Sequence, residues 1–275
     1  MQMFAMRTTI GYLFLGSLSW AVFAVPIIPD NNFWLYQGDM AVGYKRNGLL
    51  SPDEHWPNGE VYYTIDEKFK PEHVAHIKLA MQIIQSVSCI QFLPAVEDTK
   101  NFVEIKVSLS GCWSNVGFLG GKQTLSLPDQ GVDEGCFRLG TIQHELLHTL
   151  GFLHQQSSPD RDDYVQIAWE NIQPDNISNF QKYNSSRVGN FGATYDYGSI
   201  MHYSVSAFKK SAGLDTIKPL QSLNGRRMGQ RNRMSDADIT RLNNMYKCNN
   251  QTEMPNVTAK AIEEKTDPPM ETTQS

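Results

Sequence analysis

The feature that most constrains this chain is a segment that carries three histidines and a glycine at fixed spacing. It reads HELLHTLGFLH from His144 to His154. Residues four apart share one face of a helix, so His144 and His148 can bind a single metal ion. Gly151 can adopt a positive φ that ends the helix and brings His154 round as a third ligand. Three neutral imidazoles with an open fourth position are typical of a catalytic zinc site rather than a structural one.

The residue after the first histidine adds a carboxylate to this pattern. Glu145 can reach a water molecule on the metal, and zinc lowers the pKa of such a water towards about 7. The alternative is a helix that carries the same histidines on a polar face without a metal. The motif is not extended by the remaining histidines, which are His55, His73, His76 and His202. Of these, His73 and His76 are predicted to lie on a helix surface.

Composition limits the classes of partner. The chain has 275 residues, a formal net charge of −5, 40% hydrophobic residues and 19% charged residues. These values are typical of a globular protein with a sizeable core. A mildly acidic chain without a basic run argues against nucleic acid or an anionic membrane as the main partner.

The N-terminal segment is predicted to be a signal peptide over residues 1–24. Arg7 precedes an apolar run from Ile10 to Ala24, and the run ends in Val-Phe-Ala with small residues at the −3 and −1 positions. A membrane anchor is the alternative, but the run is short for a span. No later stretch is apolar enough to cross a membrane. We therefore expect a secreted, extracellular protein, with Ala24 as the last residue removed.

Export determines how the cysteines are interpreted. Four cysteines in an oxidising compartment predict two disulfides, with three possible pairings. Their spacing is too wide for a zinc ribbon. Four Asn-x-Ser/Thr sequons fit a secreted glycoprotein, and they lie at Asn176, Asn184, Asn250 and Asn256.

The remaining chain divides into three parts. Residues 25–46 form a short irregular stretch that ends in Lys45-Arg46, either a processing site for a trypsin-like protease or a solvated charge pair. Residues 47–248 are long enough for one domain. Residues 249–275 have almost no large apolar side chains and are predicted to be a disordered tail.

Periodicity predicts the regular elements of the domain. Strands are expected at Val61–Ile65, Phe102–Val107 and Gln123–Leu127. Helices are expected at His73–Val87, at Phe137–His154 with a break at Gly151, near Pro174–Tyr183, and at Asp236–Tyr246. The last helix opens with Ser235 and Asp238 at capping-box spacing.

The histidine motif, together with Ser-Ile-Met-His-Tyr at 199–203, resembles the astacin family of metzincin zinc endopeptidases. Further segments at 56–57, 160–162, 229–231 and 242–248 are also astacin-like, so the resemblance runs from about Asn47 to Cys248. It implies an α+β fold with a twisted, mostly parallel sheet, an antiparallel edge strand and two long helices in an upper half. The lower half would be irregular, with the active-site cleft between the halves.

The resemblance also implies roles for individual residues. One Zn²⁺ per chain would be bound by the three histidines of the motif, with Glu145 as catalytic base. Met201 matches the Met-turn beneath the metal. Tyr203 matches a tyrosine that ligates zinc in the resting enzyme and stabilises the oxyanion during catalysis. The implied disulfides are Cys89–Cys248 and Cys112–Cys136.

The pro-segment has a counterpart in the family as well. Tyr36-Gln37-Gly38-Asp39 resembles an aspartate switch, so Asp39 would ligate zinc in the zymogen. Removal of the segment after Arg46 by a trypsin-like protease would leave Asn47 as the new N-terminus. Astacins usually place Glu after the third histidine to bind that terminus, whereas this chain has Gln155. We therefore expect activity to depend less on trimming at Asn47 than in relatives with Glu.

These observations predict a secreted zinc endopeptidase, made as a zymogen, that cleaves extended polypeptides and acts as a monomer. The resemblance implies a minimal form without CUB or EGF modules. Two alternatives are a catalytically silent zinc-binding protein of the same fold and a structural zinc protein. The family often prefers an acidic residue after the scissile bond. Lys218, Arg226 or Arg227 could line the pocket for it, and the alternative is that they form a solvated basic loop.

Overall fold

The structure is a computed structural model that describes residues 35–41 and 50–248. Its strands are β1 (Met40–Ala41), β2 (Glu60–Ile65), β3 (Gln91–Pro94), β4 (Phe102–Val107), β5 (Trp113–Asn115), β6 (Lys122–Leu127), β7 (Val165–Ile167) and β8 (Ile217–Pro219). Its α-helices are α1 (Pro71–Ser86), α2 (Leu139–Thr149) and α3 (Asp236–Met245). The predicted signal peptide and tail lie outside the described residues.

Six strands form one mixed sheet, which confirms the predicted mostly parallel architecture. The strand order is β1-β5-β6-β4-β2-β3, and only the β5–β6 pair is antiparallel. The expected antiparallel edge strand is β5, but it lies one position inside the edge. The edge itself is β1, in which Met40 is paired in parallel with Ser114 of β5. A strand from the predicted pro-segment therefore covers the edge of the sheet.

The upper half forms because apolar residues recur with the period of each element. In β4, Val103 and Ile105 alternate towards the core, while Ile77 and Ile84 recur along one face of α1. These faces pack into one buried cluster between the sheet and helices α1 and α2. That cluster holds α2 rigidly against the sheet.

The lower half, which begins after His154, has little regular structure. It contains short 3₁₀ turns and the antiparallel β7–β8 pair. The helix expected near Pro174–Tyr183 is a 3₁₀ helix over Pro174–Phe180. A second apolar cluster, rich in aromatic rings, fills this half and includes Val165, Ile172, Phe180, Tyr195, Tyr197, Tyr203 and Ile217.

His73 corrects one prediction, since it is only 3% exposed rather than on the helix surface. It precedes Ile77 by four residues, so it lies on the same apolar face of α1. Its ring packs against Phe137 at a centroid distance of 4.5 Å and meets the edge of Phe69 at 6.2 Å. Position on the helix, rather than residue type, determined its burial.

The structure contains two disulfides and the predicted helix cap. Cys89 is bonded to Cys248, with Cα atoms 5.2 Å apart, and Cys112 to Cys136, with Cα atoms 5.7 Å apart. The capping box is confirmed because the Asp238 N–H donates to Ser235 Oγ over 3.1 Å, and the Ser235 N–H donates to Asp238 Oδ2 over 3.0 Å. Among the described residues, no helix combines the length and apolar character needed to cross a membrane.

Candidate metal centre and active site

Helix α2 positions the first two histidines of the motif. His144 and His148 are 1% and 0% exposed, one turn apart on the same helix face. The Nδ1 of His144 donates to the Ile200 carbonyl over 2.8 Å, and the Nδ1 of His148 donates to the Phe152 carbonyl over 2.7 Å. Because a carbonyl only accepts, each neutral ring has its hydrogen on Nδ1 and a lone pair on Nε2.

The third histidine is brought to this helix by a sharp turn. Helix α2 ends at Thr149, earlier than the predicted break, and Gly151 then adopts a φ of 104°. His154 follows in an extended conformation, and the Gln155 N–H donates to the Met201 carbonyl over 3.1 Å. The third imidazole is thus held by a loop rather than by a helix.

A carboxylate from the predicted pro-segment completes the cluster. The ligand atoms of Asp39 and the three histidines all lie within 4.8 Å of one another. Asp39 Oδ2 lies 3.1 Å from His144 Nε2, and Asp39 Oδ1 lies 3.1 Å from His154 Nε2. The distance from Asp39 Oδ1 to His148 Nε2 is 3.6 Å. Gly38 makes this approach possible, since it has a φ of 89° and lies against the Phe208 ring.

The chemistry of these donors fits a zinc ion. The Nε2 atoms of His144 and His148 are 3.1 Å apart, although both carry lone pairs. Such a pair repels unless a cation lies between the two atoms. Tetrahedral zinc with bonds of about 2.0–2.1 Å separates its ligand atoms by about 3.3 Å, close to the distances observed. Three imidazoles and one carboxylate therefore could hold one zinc ion.

Burial sets the protonation of this cluster. It lowers the pKa values of His144 and His154 and so favours the neutral imidazoles that a metal requires. Burial would raise the pKa of Asp39, but the adjacent His154 and the close approach of the other two histidines hold it well below its usual value. Asp39 is therefore a carboxylate, as a metal ligand must be.

Glu145 lies beside this cluster with its carboxyl group partly unpaired. It is 1% exposed, and its Oε2 has no hydrogen-bond partner among the residues that the structure describes. Burial and the nearby Asp39 raise its pKa well above the ordinary value. A carboxyl group with a raised pKa can accept a proton and later return it, as a general base and acid must.

Met201 lies in a buried turn that Asp238 holds in place. Asp238 accepts from Ser199 Oγ over 2.6 Å and from the Ile200 N–H over 2.8 Å. The Met201 N–H donates to Ser199 Oγ over 3.1 Å, and Met201 is 0% exposed. Sequence reasoning identified Asp238 only as a helix cap. Its second role was not predictable from spacing, because the turn is 38 residues away.

Tyr203 lies beside the third histidine. The ring centroids of Tyr203 and His154 are 4.7 Å apart, and the Tyr203 hydroxyl donates to the backbone carbonyl of Gln37. Its N–H donates to Gln156 Oε1 over 3.1 Å. Burial raises the pKa of Tyr203 well above its ordinary value, so the phenol is neutral. In this structure the predicted pro-segment, rather than the metal cluster, binds the Tyr203 hydroxyl.

Sequence reasoning missed the residues that support the Tyr203 backbone. His202 donates from Nδ1 to the Tyr203 carbonyl over 2.7 Å and accepts from the Tyr195 hydroxyl on Nε2, also over 2.7 Å. Burial lowers the pKa of His202 to about 4, which keeps this tautomer neutral. Arg231 donates to the His202 carbonyl over 3.1 Å. No local sequence pattern links these positions.

The remaining predicted sites are peripheral or undescribed. Asn176 is half-buried and Asn184 is exposed. The three basic residues considered for substrate recognition, Lys218, Arg226 and Arg227, are exposed, and Arg226 lies 3.4 Å from Asp196. Five predicted sites lie outside the described residues, namely Ala24, Arg46, Asn47, Asn250 and Asn256.

Comparison with known proteins assigns this arrangement to a family. The family model for Astacin, a peptidase family, matches residues 49–247. Seminal metalloprotease 1 of Drosophila melanogaster is 42% identical over 219 residues, which are 78% of this chain and 86% of that protein. Zinc metalloproteinase nas-15 of Caenorhabditis elegans is 40% identical over 213 residues, but the chain spans only 36% of its length.

A solved structure agrees with the sequence relatives. The hatching enzyme zinc protease High choriolytic enzyme 1 from Oryzias latipes superposes with a TM-score of 0.64 at 40% identity. The match covers 70% of this chain and 93% of that one. The predicted resemblance is confirmed, and the chain belongs to the astacin family of zinc metalloendopeptidases.

Proposed function

We propose that this protein is a secreted endopeptidase made as a zymogen, in which Asp39 blocks the metal until residues 25–46 are removed. One observation carries the proposal. The Asp39 carboxylate approaches all three histidine Nε2 atoms to within 3.1–3.6 Å, where a fourth ligand would bind. A catalytic zinc site needs that position for water or substrate. The contact is therefore inhibitory.

The roles of the site residues follow from their chemistry. His144, His148 and His154 would hold the zinc, which would supply Lewis-acid polarisation of the scissile carbonyl and a lowered pKa for a bound water. Glu145 accepts the proton of the attacking water and delivers it to the leaving amine. Tyr203, once released from Gln37, donates its hydroxyl to the developing oxyanion.

Removal of the pro-segment would also uncover a binding surface. With β1 gone, β5 becomes the edge strand of the sheet, and its unpaired backbone groups can bind an extended peptide. We propose that a trypsin-like protease cuts after Arg46 and leaves Asn47 as the new N-terminus. The mature monomer would then cleave extended polypeptides.

Secretion is supported by two observations. Residues 1–24 have the pattern of a signal peptide that ends at Ala24. The structure also contains two disulfides, and disulfides persist in the oxidising environment outside the cytosol. The glycosylation proposed at the four sequons fits the same compartment. Of the two described sequons, Asn184 is more accessible for glycosylation, because it is exposed whereas Asn176 is half-buried.

The test is to treat the secreted full-length chain with trypsin and incubate it with a denatured protein mixture, with and without a zinc chelator. Mass spectrometry maps both the new N-terminus and the cut sites. We expect chelator-sensitive cuts only after processing near Arg46. No cleavage, with one zinc still bound per chain, would instead support a catalytically silent zinc-binding protein.

A further inference from the structure

Gln37 lies in the pro-segment but is buried within the catalytic domain. Only 1% of the residue is exposed, and its φ of 54° turns the backbone into the cleft beside the metal cluster. A buried polar side chain must find hydrogen-bond partners or lower the stability of the fold. The partners of this amide therefore define a pocket with a specific chemistry.

The carboxamide of Gln37 is bound at both ends. Its Nε2 donates to Ser157 Oγ over 2.9 Å. Its Oε1 accepts from His154 Nδ1 over 2.9 Å and from the Tyr183 hydroxyl. The pocket thus offers two donors, and the Ser157 hydroxyl accepts the hydrogen of the amide, so the set matches a primary amide.

The walls of this pocket do not depend on the pro-segment. The Tyr183 N–H donates to the Ser157 carbonyl over 2.7 Å, which ties two walls together. Ser157 is 0% exposed and lies in the short 3₁₀ helix Gln155–Ser157. The Gln155 N–H anchors that helix to the Met201 carbonyl. The same groups will therefore face the cleft after the pro-segment leaves.

We propose that the pocket vacated by Gln37 is a substrate subsite for a glutamine side chain next to the scissile bond. Without Gln37, three buried polar groups lose their partners, and an apolar side chain would leave them unpaired. A glutamine restores all three hydrogen bonds in the arrangement that Gln37 shows, whereas a leucine restores none of them. Because His154 itself forms one wall, the residue bound there flanks the bond that is cut. The inference rests on the proposed peptidase function.

Binding can be measured without turnover. The probes are blocked peptides of residues 35–41 with Gln, Glu or Leu at position 37, titrated calorimetrically into the trypsin-activated chain after removal of its pro-segment. We expect the Gln peptide to bind about tenfold more tightly than the Leu peptide. Equal affinities would overturn the proposal, and tightest binding of the Glu peptide would show a site for carboxylates instead.

Variants identify the pocket and exclude a general loss of structure. Ser157→Ala and Tyr183→Phe should each reduce the preference for Gln over Leu about fivefold. Ser158→Ala is the matched control, since Ser158 Oγ has no hydrogen-bond partner among the described residues, and it should keep the wild-type preference. An equal preference in all three variants would contradict the assignment of the pocket.

Cut-site mapping separates this inference from the proposed function. Glutamine should be enriched at one of the two positions that flank the cut in a digested protein mixture. Cleavage without that enrichment would overturn the subsite while leaving the peptidase intact. Selective binding of the Gln peptide without any cleavage would instead contradict the peptidase function and leave a carboxamide-binding pocket.

Discussion

The two halves of the metal centre are built differently. In the helix half, defined by His144, Glu145 and His148, one helix fixes every side chain, and backbone carbonyls accept both histidine Nδ1 hydrogens. In the loop half, defined by His154 and Tyr203, the corresponding groups bind the pro-segment. There the side-chain Oε1 of Gln37 accepts a hydrogen bond from His154 Nδ1. The backbone carbonyl of Gln37 accepts one from the Tyr203 hydroxyl.

This difference indicates which part of the site activation can change. The acceptors in the helix half belong to the catalytic domain and remain after processing. Under the proposed activation, those in the loop half would leave with residues 25–46, so His154 and Tyr203 would need new partners. The pro-segment would then do more than occupy the metal position with Asp39. It would also hold the loop half in an inactive arrangement.

The largest effects are expected in the helix half. Glu145→Ala should reduce kcat/KM about 10³-fold and retain zinc, because it removes the proton acceptor but no ligand. His148→Ala should lose the metal, because two imidazoles remain after processing. Zinc content and peptide hydrolysis of the activated variants measure the two effects separately. Activity of Glu145→Ala within a few-fold of wild type would contradict the mechanism.

In the loop half, Tyr203→Phe should reduce kcat about 10²-fold with one zinc still bound, since it removes one donor to the oxyanion. The effect should be confined to the processed form. Before processing, the lost hydrogen bond to Gln37 should instead make the pro-segment easier to remove, which the rate of trypsin cleavage measures. An unchanged kcat would show that Tyr203 has no role in turnover.

A stability measurement tests how the loop half is supported. Asp238→Ala should lower the free energy of unfolding by about 2–4 kcal/mol, because it leaves the buried groups of Ser199 and Ile200 without an acceptor. Asp236→Ala on the exposed face of α3 is the matched control and should change the free energy of unfolding by about 0.5 kcal/mol or less. Chemical denaturation compares the two variants. Equal losses would mean that Asp238 does not support the Met201 turn.

The smallest effect concerns the new N-terminus. Forms that begin one residue before or after Asn47 should differ from the Asn47 form by less than about threefold in kcat/KM. The reason is that the neutral amide of Gln155 cannot form an ion pair with an α-ammonium group. Gln155→Glu should increase this dependence on trimming. A tenfold or larger loss in the mis-trimmed wild-type forms would contradict the expectation.

The helix half could be predicted from the sequence because its geometry is local. The spacing of His144 and His148 defines one helix face, and Glu145 directly follows His144, without knowledge of the rest of the fold. The same is true of the cap at Ser235 and Asp238, which spacing alone identified. Regular periodicity likewise located the longer strands and helices of the upper half.

The loop half was less predictable because its contacts are distant in sequence. Gln37 is 117 residues from His154 and 166 from Tyr203, and no periodicity connects them. The short strand β5 was not predicted from the sequence, since its three residues are defined by their pairing with β1 and β6. Only the resemblance to astacins placed Asp39 and Tyr203 at the metal.

The most direct test is the activity of the unprocessed chain with Asp39→Asn, measured on a peptide substrate before and after trypsin treatment. If the Asp39 carboxylate blocks the metal, the unprocessed variant should be at least about tenfold more active than unprocessed wild type. After processing, the two should be equal, because the substituted residue has been removed. An unprocessed variant as inactive as wild type, with equal activity after processing, would contradict the switch.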